Sequence, residues 1–205
     1  MKNEKYKQLK DNGIENIHRL ILHYIDISDA EWNYCKNYFN TAFYKKKELL
    51  LKQNDICGHI FFVVSGLLRI YFIDDKGEEK TFHFCLENTF GTDYESFLKN
   101  KPSNFSIQAM EDTVVIVITL DMLESFYKFL RYGDKLGRLI AEDYFFIINE
   151  KIRSMYVNTP LERYNTMNTR FPNILQRVPQ HCIASYLNIT SVHLSRLKYH
   201  SKEKK

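Results

Sequence analysis

No apolar run in this 205-residue chain approaches the roughly 20 residues needed to cross a bilayer. The longest, IFFVV from Ile60 and TVVIVITL from Thr113, fall far short, and the opening MKNEKYKQLKDNG is polar, without the apolar stretch of a secretory leader. A soluble, cytoplasmic protein with no membrane partner is therefore expected. Metal chemistry is equally thin. Cys35, Cys57, Cys85 and Cys182 form no CxxC pair and have no histidine at ligand spacing, so buried, reduced thiols are expected rather than a zinc or iron–sulfur site. His83-Phe84-Cys85 lacks a second histidine, His59 has no partner, and both read as strand histidines rather than haem ligands. No Ser-His-Asp or paired-carboxylate arrangement stands out. The chain is expected to be no enzyme and to need no cofactor.

What is present is concentrated near the C-terminus. The segment QHCIASYLNITSVHLSRLK, Gln180 to Lys198, reads as two short helices joined by a tight turn. Ile183, Ala184 and Leu187 share one face of the first, and Ala184 is small enough for the second helix to cross closely. Asn188 falls where a left-handed backbone is needed. Ile189, Leu194 and Leu197 supply the apolar contacts of the crossing. This is the spacing of a DNA-binding helix-turn-helix. With Leu194 and Leu197 buried, about 100° per residue turns Val192, Ser195, Arg196 and Tyr199 outward, flanked by Ser191 and His193. Arg196 suits a guanine edge, whereas Thr190, Gln180 and the helix-start N–H groups suit phosphates. Charge agrees: from Asn158 onward eight Lys/Arg face only Glu162 and Glu203, a net +6, which leaves −2 on the first 157 residues.

Upstream the pattern changes three times. Ile14, Ile17, Leu20, Ile21 and Tyr24 recur at helical spacing, and Ser28-Asp29-Ala30-Glu31 is a capping box with Ile27 and Trp32 placed as a staple. From about Thr41 to Thr119 the reading is β: Ile60–Val64, Leu67–Ile73, Lys80–Cys85, Ser106–Met110 and Val114–Thr119, punctuated by Ser65-Gly66, a hairpin turn at Asp74–Gly77, and Glu111-Asp112. Many short strands imply a sandwich or jelly roll. From Asp121 to about Val157 no proline interrupts an apolar stripe of Leu136, Ile140, Tyr144, Ile147, Ile148, Ile152 and Met155. One long helix is expected there, bent or closely approached at Gly133 and Gly137, and dimerising through that stripe. Thr159-Pro160-Leu161-Glu162 is a second capping box and starts a new helix that ends at Phe171-Pro172; Val178-Pro179 opens the helix pair. The expected class is α+β: N-terminal helices and an antiparallel β-roll (residues 1–120), a long dimerisation helix (121–157) and a helix-turn-helix unit (158–205). Two alternatives stand beside a DNA-binding protein. One is a small-ligand-binding jelly roll whose helix pair contacts protein; the other is a metal-dependent jelly-roll enzyme, which would need a His-x-His cluster.

This order of elements resembles the Crp/Fnr family of bacterial transcription regulators, in particular its Bacteroidetes branch. The resemblance covers nearly the whole chain and is carried by VVSGLLRIYFIDDKGEEKTFHF (Val63 to Phe84), PSNFSIQAMEDT (Pro102 to Thr113), TPLERY (Thr159 to Tyr164) and FPNILQRVPQHCIASYLNITSVHLSRLK (Phe171 to Lys198). It implies a homodimer on double-stranded DNA at a near-palindromic site, with groove-contacting positions at Ser191, Val192 and Arg196, of which only Arg196 matches the family in type. Family members that bind cyclic AMP carry a Gly-Glu and an Arg-Ser pair around the phosphate. Here those positions resemble Gly91-Thr92 and Ser103-Asn104. A buried phosphate deprived of its Arg loses about 2–5 kcal/mol, so cyclic AMP is not expected. Gly91, Thr92, Tyr94, Glu95, Ser103 and Asn104 would line a pocket for some other small-molecule effector, or the roll is a structural platform. Only Tyr199 to Lys205 follow the second helix, so the wing usual in the family is expected to be missing.

Overall fold

The computed structural model describes residues 2–202. Helices α1 (Lys2–Tyr24) and α2 (Asp29–Lys36) precede eight strands: β1 (Asn40–Tyr44), β2 (Leu49–Leu51), β3 (Ile60–Ser65), β4 (Leu68–Ile73), β5 (Glu79–Cys85), β6 (Phe90–Gly91), β7 (Ser106–Ala109) and β8 (Thr113–Ile118). A short helix, α3 (Tyr94–Lys99), interrupts them between β6 and β7. The strands form two four-stranded antiparallel sheets, ordered β1-β8-β3-β6 and β2-β7-β4-β5. In register, Phe61 faces Val117 and Leu68 faces Ala109. The expected α+β class with an antiparallel roll is what forms. The sequence reading named five of the eight strands and missed β1, β2 and β6, of which β2 and β6 are too short to show an alternation.

The continuous apolar run of β3 reflects cover on both faces. One side meets the opposite sheet in the core and the other meets α1. Gly13 of α1 makes that approach possible, because a Cβ there would come within 2.6 Å of a Val64 methyl. The turn after β4 closes by the Gly77 N–H to the Asp74 carbonyl at 3.0 Å, with Gly77 at φ 78°. His59 lies in the loop before β3, not in a strand as the sequence suggests; His83 is in β5.

The single helix expected over Asp121–Val157 is in fact two: α4 (Leu120–Phe129) and α5 (Gly133–Val157). Three contacts explain the break. Leu130 leaves helical geometry to enter the core, where it is buried. The Arg131 N–H is taken by a Glu31 carboxylate oxygen at 2.7 Å, so the Glu of the first capping box also holds the break. Gly133 packs where a Cβ would lie 2.7 Å from the Phe126 carbonyl, which permits the chain to turn back sharply. The α5 stripe then divides. Leu136, Ile140, Tyr144 and Ile148 face the cavity of their own roll, which corrects the expectation that the whole stripe is free for a second chain. Tyr144 is fixed there: its hydroxyl accepts from the Phe90 N–H at 2.7 Å and donates to the Phe90 carbonyl at 2.9 Å. Ile147 and Met155 are half-buried and Ile152 is exposed, and the exposed apolar set of α5 is Phe145, Phe146, Ile152, Tyr156 and Val157.

Beyond Asn158 come α6 (Pro160–Arg170), α7 (Ile174–Arg177), α8 (Gln180–Tyr186) and α9 (Ser191–Lys202). The second capping box is formed, with Pro160 at the first helical position. These helices do not carry a separate core. Tyr164, Met167, Phe171, Ile183 and Leu194 pack into one cluster with Leu67, Phe84 and Met110 of the roll. Full burial of each of these roll side chains is worth roughly 1.5–3 kcal/mol. No helix among the described residues is long and apolar enough to cross a membrane. The reading of Tyr199 to Lys205 as lacking a wing falls in part on residues 203–205, outside those described.

Candidate nucleic-acid interface and effector cavity

The α8–α9 pair is set by its turn. Asn188 adopts φ 53°, the left-handed conformation its position demands. The Ile189 N–H reaches back to the Ala184 carbonyl at 3.0 Å, and Ala184 is buried at the crossing. Leu194 is wholly buried and Leu197 partly so. The Thr190 hydroxyl accepts from the His193 N–H at 3.2 Å and so caps α9. Arg163 clamps the pair to α5: its Nε donates to the Leu187 carbonyl at 3.1 Å and its Nη1 to the Asn158 carbonyl at 2.7 Å. A cation at two helix C-termini also complements their dipoles.

Gln180, Thr190, Ser191, Val192, His193, Ser195, Arg196 and Tyr199 are all exposed. Thr190, Val192, His193, Arg196 and Leu197 form one shallow concavity, with Val192 63% exposed. Arg196 enters no ion pair among the described residues, so its guanidinium is unclaimed. An exposed helix face of this kind, bearing an unpaired guanidinium, can enter a major groove.

The six residues expected around an effector do not converge. Thr92 and Tyr94 line a cavity of about 460 Å³ between the roll and α5. Gly91 packs on Cys85 and Leu68 instead. Glu95 is held outside by Lys101 at 2.7 Å and Lys99 at 3.0 Å; those two cations keep its carboxyl below the usual range. Ser103 is buried and serves structure: its hydroxyl donates to Asp93 Oδ2 at 2.7 Å, and Asp93 Oδ1 caps α3 through the Ser96 N–H at 3.2 Å. Asn104 is exposed and outside the cavity.

The junction between roll and C-terminal helices carries charges that sequence reasoning missed. Lys151 of α5 donates to the Phe82 carbonyl, and its ammonium lies 4.3 Å from the centre of the Tyr186 ring. Burial, then the charge of Arg170, pushes it down to about 7. Burial likewise holds His83 neutral, at about 3, with Lys151 and Arg170 adding to the shift. Arg177 of α7 reaches two carboxylates of the roll, Glu87 at 2.7 Å and Glu111 at 2.6 Å, and the Gly66 carbonyl at 3.0 Å. The Thr81 N–H of β5 donates to the Ser185 hydroxyl of α8 at 2.8 Å. The one available signal was Lys151 itself, a lysine between Ile148 and Ile152 in an otherwise apolar stripe. Arg177 had none.

Residues 41–128 match the family model of the cyclic nucleotide-binding domain. The sequence matches no curated protein. Solved structures are similar over most of the chain. FixK2 from Bradyrhizobium japonicum has 16% identity and a TM-score of 0.70, over 81% of this chain and 85% of that one. A CooA mutant from Carboxydothermus hydrogenoformans has 17% identity and a TM-score of 0.65, over 90% and 83%. The catabolite activator protein of Thermus thermophilus has 16% identity and a TM-score of 0.54, over 88% and 86%. The chain thus folds a β-roll of the cyclic nucleotide-binding type and continues into C-terminal helices, an architecture similar to that of these three structures.

Proposed function

We propose that this protein is a homodimeric, sequence-specific DNA-binding transcription regulator of the Crp/Fnr type, acting in the cytoplasm, whose β-roll is an effector domain that does not take cyclic AMP. The observation that carries the reading is the α8–α9 pair. A left-handed Asn188, a buried Ala184–Leu194 crossing and an exposed α9 face ending in Arg196 are what major-groove docking requires. The fold likeness to a protein named as a catabolite activator is consistent with it. Of the units 1–120, 121–157 and 158–205, the first would serve as sensor, the second would dimerise through its α5 part, and the third would be the DNA-binding module. Dimerisation would use the outer face of α5, where Phe145, Ile152 and Tyr156 repeat at spacings of one helical stripe and stand 64%, 51% and 86% exposed. The absence of a cation from the cavity wall supports the loss of cyclic AMP. The test is selection of genomic fragments by the purified protein with and without cyclic AMP. An inverted repeat, recovered equally in both, is the expected result. Failure to select any sequence would reject the DNA-binding role, and selection only with the nucleotide would reject the statement about the roll.

A further inference from the structure

The cavity between the roll and α5 has no use in the fold itself. Its volume, about 460 Å³, is about three times the roughly 150 Å³ of an apolar cavity that stays dry and binds benzene. Ile70, Phe82, Phe90, Leu136, Ile140 and Ile148 are representative of its walls, and no lysine, arginine or glutamate is among the lining residues. The polar groups that do reach it are committed elsewhere. The Tyr144 hydroxyl is satisfied by both backbone groups of Phe90. The Thr92 hydroxyl donates to the His59 carbonyl at 3.0 Å. Asp93 receives Ser103 and Ser96; the Tyr94 and Tyr127 side chains are neighbours on the same wall. His83 Nδ1 is covered by protein and does not open to the space.

Such a wall selects by what it withholds. A phosphate or carboxylate entering it would lose its water, find no cation and meet the Asp93 carboxylate. A strongly hydrogen-bonding neutral molecule would leave its own donors unmatched. We propose that the cavity is the effector site and that it takes an uncharged, predominantly apolar small molecule, larger than a single aromatic ring. The inference rests on the reading of the roll as an effector domain, and it names the ligand class for that domain. Depth argues for a small molecule over a second copy of the chain. Phe126, Leu130, Ile60 and Ile70 line it and are buried, whereas Phe145 at its rim is 64% exposed.

N-phenyl-1-naphthylamine, an uncharged two-ring fluorophore with a phenyl arm, is a suitable probe. Titrated into the full chain without DNA, it should show a saturable rise in emission at one molecule per chain. Ala141→Trp, which fills the cavity from α5, should weaken binding at least tenfold. Ile140→Arg, which brings a cation to the wall at a half-buried position, should do the same by a different route. Phe146→Ser, on the exposed side of α5 and outside the cavity, should leave binding unchanged. Cyclic AMP at millimolar concentration should not displace the probe. An unsaturable signal, a signal indifferent to both cavity variants, or displacement by cyclic AMP would overturn the proposal. None of these results depends on DNA, so a failure here leaves the DNA-binding reading standing, displacement by cyclic AMP alone also striking the statement about that nucleotide, and a failed DNA selection leaves this site standing.

Discussion

Replacing Arg177 with Met keeps the aliphatic stem and removes the one cation that joins α7 to two turns of the roll. In the native chain its Nη1 and Nη2 donate to Glu87 at 3.1 and 2.7 Å, and its Nη2 and Nε to Glu111 at 2.6 and 3.4 Å. Charge-assisted bonds are worth about 1.5–3 kcal/mol each when fully buried, and orphaning a buried partner costs about 3–5 kcal/mol. The carboxylates are about a third exposed (36% for Glu87, 33% for Glu111), so solvent screening reduces both figures. A destabilisation of about 2–3 kcal/mol is expected, read as a lowered urea midpoint at unchanged slope. Its pH dependence is specific. Burial alone would raise the Glu87 carboxyl, but the hydrogen bond from Arg177, with backbone bonds and the Arg177 charge, outweighs it and holds that group below its usual range. A carboxyl depressed in the folded state contributes stability above its unfolded pKa and loses it as pH falls through the folded value. The gap between wild type and Arg177→Met should therefore be widest near pH 7 and narrow below about pH 4.3. A gap under about 0.5 kcal/mol, the level of ordinary surface substitutions, or one that stays constant down to acid pH, would refute the assignment.

Three further outcomes are expected. Tyr144→Phe leaves the Phe90 N–H without its acceptor and should cost about 1–3 kcal/mol by chemical denaturation, with hydrogen exchange at Phe90 accelerated. Lys151, pushed down to about 7 in the folded chain against about 10.4 unfolded, makes stability rise with pH across the interval between them, because the unfolded chain holds the extra proton. The melting temperature should climb from about pH 7 to about pH 9.5, and Lys151→Met should flatten that climb; an equal climb in the variant would reject burial of the ammonium. Arg196→Ala should weaken specific DNA binding by about 1–3 kcal/mol and relax selection at one base step, measured by repeating the fragment selection; an unaltered recovered motif would remove Arg196 from base reading.

The parts of the fold legible in the sequence are those fixed by local rules. Ser28 and Thr159 form their capping boxes because the cap and the Glu three residues on need only each other. Asn188 marks its turn because few residues tolerate a left-handed backbone. What escaped depends on partners distant in the chain. Periodicity marks Tyr144 as apolar-facing, but not whether its own roll or another copy covers it. The break after α4 is held in part by Glu31, 100 positions before the Arg131 N–H that it accepts. Gly91, Ser103 and Asn104, aligned by resemblance to a phosphate cassette, and Glu95, expected beside them in a pocket, are drawn instead into packing, hydrogen bonds, surface ion pairs or solvent. No lysine or arginine lines the cavity to receive a charged ligand.

The cluster that Leu67, Phe84 and Met110 share with the C-terminal helices makes the boundary at Asn158 a poor place to cut. A fragment ending there would present three large side chains of the roll, Phe84 of β5 and Leu67 and Met110 of two turns, to water and invite self-association. An α6–α9 fragment would lose the other half of its interior. Grafting a foreign C-terminal unit onto this roll would need a donor whose underside fits Leu67, Phe84 and Met110 and whose edge offers an arginine to Glu87 and Glu111. Roll and C-terminal helices in this chain are thus matched by shape and must change together.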